Sequence, residues 1–573
     1  MSDDHSDRSL QSGSPPRGWT RRRGQTHRRG QTHRRGQTHR RGQTRRRAQH
    51  IHDNYYIGPA RDHAILEIWA YTDALSYRPG DTVGLRVSTT AKSYDVEVGH
   101  DGAAYHPMAQ WLALAGTYHD SPEDCSAAGC TWPVALEITI GSDWPPGGYL
   151  ITLRAHSAAE SVEEHHLILV RHGARKAPLL LLCSTPTWVA YNCWGGSNAY
   201  EGITGKSGDQ FSPQLSLQRP WTRGFCKLPK GAPRTIPNQP PKPGEMVRYP
   251  YMEWAYAHGY SKKYASAGWA SYERHFVHWA EKAGFDLDLA TLHDLERDPD
   301  LLADYRCAVI VGHDEYWSTA MRQAVDRWIE GGGRAARFAG NFLWQVRMED
   351  EGRLQVCHKY NALKTDPVAG TADQNLLTGA WESQAVNWPG CQTFGASGLR
   401  GIYAGLGNCV GRGARGFIIY RPDHWVFKDS QVGYGDIIGA QSRIFGYEVD
   451  GLDYVIRDGL PFPTGQDGAS PDITILGLGL ASNLEADYGI WGEVHYIGDG
   501  EVAWAARELY GDTSPKTLAR AARGNGVMIH WHKGAGQVFT AGTCEWVMGL
   551  ARGDSQIQQI TQNVLQCFTE QKK

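Results

Sequence analysis

Three continuous apolar runs constrain this chain more than any other feature of its sequence. They are Leu179–Cys183, Cys307–Gly312 and Ala335–Gly340. A run without polar alternation is typical of a strand buried on both faces, as in a parallel sheet covered by helices. The segments Tyr272–Ala283 and Thr319–Glu330 predict two of those helices. Strand and helix thus alternate, and we predict a doubly wound α/β domain over residues 177–573, with long insertions.

The segment before this domain has the pattern of a β-sandwich. Short alternating stretches such as Ile65–Tyr71, Val83–Val87 and Tyr149–Arg154 are separated by turns rich in Pro and Gly. Alternation with a period of two indicates strands with one buried face, and closely spaced turns are typical of antiparallel sandwiches. We therefore predict an antiparallel β-sandwich over residues 60–172.

Residues 1–52 differ from the rest in repeat pattern and charge. The hexad Gly24–Arg29 recurs from Gly30 and from Gly36, and it contains no apolar residue to bury. Such a repeat is expected to remain disordered. Residues 1–50 hold 14 Arg, no Lys and 3 Asp, whereas the remainder holds 45 basic and 58 acidic residues. The acidic remainder argues against nucleic-acid binding, apart from nonspecific contacts of the Arg-rich tail.

Cysteine usage and apolar segments indicate the compartment. The 11 cysteines are scattered without a CxxC pair, and no apolar signal segment precedes the body of the chain. No apolar run reaches the length of about 18 residues that a membrane span needs. We therefore expect a cytoplasmic protein with free thiols. In an oxidising setting, Cys125 and Cys130 are close enough along the chain to pair.

Polar side chains cluster where the predicted strands end. Ligands of an open parallel sheet bind beyond the carboxyl ends of its strands. Tyr191 follows the first apolar run, His313 and Glu315 follow the second, and Asn341 follows the third. One carboxylate after a strand more often serves the dipole of the next helix. Polar residues at three neighbouring strand ends, however, indicate one shared crevice.

Several familiar catalytic patterns are missing from the sequence. It contains no GxSxG, no HExxH and no paired CxxC motif, and no glycine-rich loop follows the Leu179–Cys183 run. These absences argue against a serine nucleophile on an elbow, a zinc-protease site and a nucleotide cofactor. Hydrolysis by a metal ion or by a carboxylate-activated water remains.

An ordered series of motifs resembles the N,N-dimethylformamidase large (beta) subunit family. The motifs are Thr187–Ser197, Gly312–Ser318, Ala339–Trp344, Gly446–Asp450 and Gly536–Phe539. They cover roughly residues 178–565, and Tyr77–Gly80 resembles the family's N-terminal region. The resemblance implies a hydrolase that cleaves the C–N bond of a small linear amide. It also implies a small partner subunit, and a homo-oligomer is a further expectation.

The same resemblance implies a metal site. The family's cofactor is a mononuclear iron (Fe3+) bound by two tyrosinates and one glutamate, and Tyr191 and Glu315 match two of these ligands. For the second tyrosine the candidates are Tyr249 and Tyr251, and we prefer Tyr249. Phenolate and carboxylate oxygens suit a hard ion of this kind. The catalytic residues implied by the motifs are His313, Glu448 and Asn341.

Two other functions remain open at this point. The chain could be a non-catalytic ligand-binding protein built on a degenerate amidase scaffold, and failure to bind any metal would favour that. It could also be a hydrolase without iron, because the predicted domain, ending in Gly-x-Val-Phe, suits a class I glutamine amidotransferase-like fold. That alternative needs a nucleophilic cysteine. Cys193 is the cysteine close to a motif, but it does not lie on a strand-to-helix elbow.

Overall fold

The computed structural model describes residues 63–173, 176–202, 211–237, 248–407, 409, 415–485 and 498–570. The tail predicted at residues 1–52 lies outside these ranges. Strands account for 34% of the structure and helices for 23%. Among the described residues, no helix combines the length and the apolar character needed to cross a bilayer.

Two sheets form the N-terminal part of the described chain. Their strands are β1 (Ile68–Thr72), β2 (Ser76–Tyr77), β3 (Thr82–Thr89), β4 (Ser93–Asp101), β5 (Tyr105–Ala115), β6 (Val134–Thr139), β7 (Gly147–His156) and β8 (Ser161–Val170). A short helix, α1 (Cys125–Ala128), precedes β6. One sheet has the order β1-β3-β6 and the other β2-β8-β7-β4-β5. Apolar side chains of both sheets, among them Leu85 and Ile151, belong to one buried cluster, so the sheets share a core.

A large central sheet organises the rest of the chain. The strands after the sandwich are β9 (Leu179–Cys183), β10 (Gln214–Ser216), β11 (Leu287–Thr291), β12 (Cys307–His313), β13 (Tyr316–Ser318), β14 (Arg334–Gly340), β15 (Trp344–Glu349), β16 (Leu354–Val356), β17 (Ser397–Ala404), β18 (Phe417–Ile419), β19 (Ile437–Ile438), β20 (Tyr447–Gly451), β21 (Tyr454–Arg457), β22 (Leu460–Pro463), β23 (Thr474–Ser482), β24 (Arg523–Lys533) and β25 (Gly536–Ala541).

The helices that follow α1 lie between and after these strands. They are α2 (Thr185–Tyr191), α3 (Pro250–His258), α4 (Glu273–Lys282), α5 (Leu292–Arg297), α6 (Thr319–Glu330), α7 (Ala362–Thr365), α8 (Cys391–Phe394), α9 (Gly498–Tyr510), α10 (Pro515–Ala521), α11 (Trp546–Ala551) and α12 (Ser555–Thr569). Short 3-10 helices lie at Asp350–Gly352, Lys359–Asn361, Gln374–Leu376 and Trp425–Phe427.

The central sheet is mixed in strand direction. Its main order is β11-β9-β12-β14-β25-β24-β23-β17-β20. The pairs from β11 to β25 are parallel. From β25 onward the pairs β25–β24, β24–β23, β23–β17 and β17–β20 are antiparallel. Smaller sheets have the orders β10-β16-β15-β13 and β21-β22.

The predicted doubly wound, class I glutamine amidotransferase-like domain is therefore wrong. The structure is rich in strands that pair in several sheets, and half of the central sheet is antiparallel. The error has a physical cause. A continuous apolar run reports burial on both faces, and an antiparallel strand inside a wide sheet, such as β24, is buried in the same way. The run alone thus does not determine the direction of the neighbouring strand.

Local capping determines where the helix beside the predicted crevice begins. Ser318 is the N-cap of α6, and its hydroxyl accepts a hydrogen bond from the Met321 amide at 3.1 Å. The helix therefore starts after β13, at Thr319, four residues beyond Glu315. The carboxylate of Glu315 is left free to point toward other partners.

Candidate active site

Strand ends and one helix end bring the predicted polar residues together. His313 is the last residue of β12, and it pairs with Gly340 of β14, the residue before Asn341. Tyr191 ends α2, which follows β9, the neighbour of β12 on its other side. Glu448 arrives from the antiparallel half of the sheet, on β20. The parallel strands and α2 thus bring His313, Asn341 and Tyr191 to one edge of the central sheet. The antiparallel strand β20 adds Glu448 to the same place.

Glu315 is the centre of a dense hydrogen-bond network. Its Oε2 accepts hydrogen bonds from the phenols of Tyr191 at 2.9 Å and Tyr200 at 2.6 Å. Its Oε1 accepts from Trp344 Nε1 at 2.7 Å. The side chain is only 3% exposed. Two phenol oxygens therefore lie within hydrogen-bond distance of the same carboxylate oxygen inside the protein.

The imidazole of His313 joins this network to a second carboxylate. Its Nδ1 lies 2.7 Å from the Ser266 carbonyl oxygen, which can only accept, so Nδ1 carries a proton. Its Nε2 therefore faces the carboxylates, at 2.8 Å from Glu448 Oε2 and 3.3 Å from Glu315 Oε2. The amide nitrogen of Asn341 lies 3.3 Å from the same Nε2.

Burial and charge act against each other at these groups. Burial alone would lower the pKa of His313, but the carboxylates of Glu448 and Glu315 raise that pKa well above its ordinary value. Burial would raise the pKa of Glu315, but its contact with His313 keeps that pKa below the usual range. Burial, and then the charge of Glu315, raise the pKa of Tyr191 well above its ordinary value. These directions favour an ionised Glu315 carboxylate that accepts hydrogen bonds from neutral phenols.

A buried arginine holds the backbone around the site. Arg337 donates to Asp314 Oδ2 at 2.8 Å and Oδ1 at 2.6 Å, and its third nitrogen lies 2.5 Å from Asp450. Asp450 in turn accepts the backbone N–H of Asn341 at 2.7 Å. Asn341 has a φ of 66°, a left-handed conformation that needs such external support. The Arg337 cluster thereby positions the backbone on both sides of His313 and Asn341.

Gly312 allows His313 to approach from β12. Its φ is +76°, and a Cβ at this position would meet the Tyr272 side chain at 2.4 Å. Any larger residue would clash there and would also be strained by the positive φ. The glycine is thus required by close packing beside the site.

Two lysines lie beside the ring of Tyr200. Lys359 Nζ is 3.3 Å from the ring centroid, and Lys263 Nζ is 4.5 Å from it. Burial lowers the pKa of Lys359 to about 8, although Glu315 favours its charged form. These cations place positive charge against the face of an aromatic ring, the favourable side for a cation.

The residues predicted from sequence are distributed as follows. Tyr191, His313, Glu315, Asn341 and Glu448 lie together. Tyr249 precedes α3, and its hydroxyl donates a hydrogen bond to Glu485. Tyr251 packs edge-on against the ring of Tyr264. The thiol of Cys193 is buried between the hydroxyls of Thr222 and Ser261.

Sequence reasoning missed several members of the site. Tyr200 lies three residues beyond the first family motif, and nothing in its local pattern distinguishes it from a packing tyrosine. Tyr447 is part of the motif that carries Glu448, and its hydroxyl lies 3.1 Å from His313 Nδ1. Lys359 and Arg337 had no signal, because their role depends on burial beside groups distant in sequence.

Comparison with known proteins agrees with the motif series. The sequence model of the family described as "N,N-dimethylformamidase beta subunit-like, C-terminal" matches residues 97–561. The N,N-dimethylformamidase beta subunit of Alcaligenes sp is 21% identical over 504 residues, which are 82% of this chain and 58% of that protein. The beta subunit from Paracoccus aminophilus is 23% identical over 387 residues, 62% of this chain and 46% of that protein.

The chain thus spans about half the length of the curated relatives it matches. The family match, however, covers most of the residues of this chain, and it includes all five of the clustered residues Tyr191, His313, Glu315, Asn341 and Glu448. The resemblance inferred from the motifs is confirmed: the chain belongs to the N,N-dimethylformamidase beta subunit-like family.

Proposed function

We propose that this protein is an iron-dependent hydrolase that cleaves the C–N bond of a small linear amide. The proposed iron ligands are Tyr191, Tyr200 and Glu315. The observation that carries the proposal is the convergence of both phenol oxygens on Glu315 Oε2, at 2.9 and 2.6 Å. The names of the relatives, N,N-dimethylformamidase beta subunits, support the substrate class.

The donor atoms of this cluster fit a hard trivalent ion. The Glu315 carboxylate and two phenols that lose their protons on binding would together balance the charge of Fe3+, and hard oxygen ligands suit it. Tyr200 takes the place that the sequence suggested for Tyr249, because its hydroxyl contacts Glu315 whereas the Tyr249 hydroxyl contacts Glu485. Trp344 Nε1 holds the other oxygen of Glu315 and so fixes the plane of the carboxylate.

The chain's own residues supply proton transfer and orientation. The ion, when bound, would supply Lewis acidity toward the amide carbonyl and the attacking water. Glu448 and His313 lie 2.8 Å apart, so the pair can take a proton from water and return it to the leaving amine. The Ser266 carbonyl orients the ring for this exchange. Asn341 Oδ1 has no hydrogen bond within the described ranges, so this oxygen can accept a hydrogen bond from water or from a substrate N–H.

Partner proteins belong to the same proposal. The matched relatives are named as subunits, and we propose that this chain likewise works with a small partner subunit, as a homo-oligomer, or both. Mass measurement of the purified chain, with and without a co-expressed small subunit, tests this. A monomer with full turnover would contradict it.

The alternative functions fare differently. The amidotransferase-like hydrolase loses its premise, because the doubly wound fold is contradicted and the Cys193 thiol is enclosed by hydroxyls. A non-catalytic binding protein would show no bound iron and no turnover of any amide.

Metal analysis combined with visible spectroscopy tests the proposal. We expect about one iron per chain and a phenolate-to-Fe(III) charge-transfer band in the purified protein, with release of amine from N,N-dimethylformamide or a related linear amide. Tyr200→Phe should abolish or strongly shift the band, because it removes one of two phenolates. Tyr249→Phe is the matched control and should leave the band unchanged. Colourless protein that stays metal-free after anaerobic reconstitution would refute the proposal, and the reverse result for the two variants would restore Tyr249 as the ligand.

A further inference from the structure

A sulfur atom lies beside the proposed proton-transfer pair. Donor atoms of His313, Glu448 and Cys544 all lie within 4.8 Å of one another, and all three residues are buried. Cys544 follows β25 and precedes α11, a position that no sequence motif singled out. The oxygen ligands proposed for iron do not include it.

Backbone pairing holds these donors in place. The amide of Cys544 donates to the carbonyl of Glu448 at 3.1 Å, and Thr543 forms a β-bridge with Val449. The neighbouring Glu545 amide donates to the Gly446 carbonyl at 3.0 Å. Cys544 and Glu448 therefore belong to two segments that are hydrogen-bonded to each other through their backbones. The distance between the two side chains is thus determined by the fold.

The other contacts of His313 and Glu448 are compatible with metal binding. The Ser266 carbonyl accepts the Nδ1 proton of His313 and leaves Nε2 directed at the carboxylate, as is usual for metal-binding histidines. Glu448 Oε2 lies 2.8 Å from His313 Nε2, and no other hydrogen-bond partner of this oxygen lies within the described part of the chain. Once Nε2 has lost its proton, this nitrogen and the buried Glu448 oxygen can both bind a metal cation.

We propose that His313, Glu448 and Cys544 form a second metal site, selective for a borderline divalent cation such as Zn²⁺. One nitrogen, one carboxylate oxygen and one sulfur are the ligand types that zinc prefers, and three protein ligands leave a position open. Thiolate is a soft ligand, so this set favours Zn²⁺ or Co²⁺ over the hard Fe3+ that suits phenolates. On binding, the thiol proton of Cys544 and the Nε2 proton of the charged His313 imidazole both leave to solvent, and one carboxylate and one thiolate balance the charge of the ion.

Zinc-ligand bonds of about 2.0–2.3 Å place neighbouring donors about 3.3–3.8 Å apart in a tetrahedral site. Donors within 4.8 Å of one another therefore need to close by at most about 1 Å, and His313 Nε2 and Glu448 Oε2, now 2.8 Å apart, need to separate by about 0.5 Å; side-chain rotation can supply both movements. An ion there would occupy both members of the proton-transfer pair. In this respect the inference rests on the proposed function, and it predicts that Zn²⁺ inhibits amide hydrolysis.

Cobalt substitution tests the site directly. The full-length protein, freed of metal by a chelator, is titrated with Co²⁺ and followed by absorption. We expect one Co²⁺ per chain at this site and a thiolate-to-cobalt charge-transfer band. Cys544→Ser should lose the band and bind Co²⁺ at least about tenfold more weakly, a change of about 1.4 kcal/mol. Cys391→Ser is the matched control: its thiol is buried and donates only to the Asp467 carbonyl among the described residues, a bond that a hydroxyl also makes.

A second measurement needs no variant. X-ray absorption at the zinc edge of the wild-type Zn²⁺ protein should show one sulfur at about 2.3 Å. Absence of that sulfur, or a cobalt band that survives in Cys544→Ser, would overturn the proposal. These measurements do not depend on iron. Absence of the Fe(III)–phenolate band would refute the proposed function, and it would not change the interpretation of the cobalt result. Zn²⁺ inhibition relieved at least about tenfold by Cys544→Ser would connect the two sites.

Discussion

Replacing Glu315 by Gln separates a metal ligand from a structural carboxylate. The amide is isosteric, so packing is retained, and its oxygen can still accept the Trp344 indole N–H. The two phenols that donate to Oε2 would instead have to accept from the amide group. Hydrogen bonds to a charged group contribute about 1.5–3 kcal/mol, and neutral ones contribute about 0.5–1.5 kcal/mol. Two weakened bonds therefore cost about 2 kcal/mol, and relief of a buried charge offsets part of this.

Iron binding should respond far more strongly than folding. The ion would lose one of three anionic ligands, and we expect its affinity to fall at least about a thousandfold, which is about 4 kcal/mol. The assay is iron stoichiometry after reconstitution, together with urea unfolding of the metal-free protein and amide turnover. The variant should fold with a melting temperature within a few degrees of wild type, and it should be colourless and inactive.

Glu273→Gln is the matched control for this experiment. Glu273 is also buried, accepts an indole N–H from Trp188 at 3.0 Å, and accepts the Ser184 amide at 3.3 Å. Burial raises its pKa to about 7, so the amide should be tolerated at neutral pH. It should keep the wild-type iron content. Full iron occupancy with normal turnover in Glu315→Gln would refute the ligand assignment and with it most of the proposed mechanism.

Three further outcomes are expected. Arg337→Met should lower the free energy of unfolding by about 3–5 kcal/mol, measured by urea denaturation, because the carboxylates of Asp314 and Asp450 would remain buried without their partner. Burial lowers the pKa of His166 to about 3, so the folded state takes up this proton later than the unfolded state, whose histidine pKa is about 6.5. The stability that this neutral histidine contributes is therefore present above pH 6.5 and is lost as the pH falls toward 3. In that pH range, His166→Gln should reduce the slope of the unfolding free energy against pH by about 1.4 kcal/mol per pH unit. Deleting residues 1–50 should leave turnover and melting temperature unchanged, because the hexad repeat offers no apolar residue to a core.

Each of these three predictions has a control variant or an outcome that would contradict it. Arg353→Met removes an exposed arginine paired with Asp350 and should leave the melting temperature unchanged, so an equal effect of Arg337→Met would show that the buried cluster contributes little. His156→Gln replaces an exposed histidine as the control for the pH series; an unchanged slope in His166→Gln would mean that His166 does not titrate as its burial implies. A truncated protein that loses activity would show that the tail takes part in function.

The parallel part of the central sheet could be predicted from sequence, and so could much of the site. Runs such as Leu179–Cys183 contain no polar side chain over the length of a strand, which is typical of a strand buried on both faces. Neighbouring parallel strands end at the same edge, so His313 and Asn341 could be expected near each other before their 3.3 Å contact was known. Glu448 came from the family motifs alone.

The antiparallel half of the sheet could not be predicted in the same way. The strands β23 and β24 are buried like the parallel ones, and the direction of a buried strand leaves no mark on its apolar pattern. Strand direction is decided by how the long connections return the chain to the sheet edge, and that depends on the whole core.

Sequence by itself determined the family, the apolar strands and the polar residues at their ends, because these depend on residue type and local spacing. Tertiary structure alone decided that Tyr200 joins Tyr191 at Glu315, that Arg337 can be buried within β14, and that Cys544 lies beside Glu448. The physical reason is the same in each case. Whether a tyrosine, an arginine or a cysteine packs, pairs or binds depends on which groups surround it at distances of about 3–5 Å. In these three cases the neighbours named come from segments about 100 residues away in the chain.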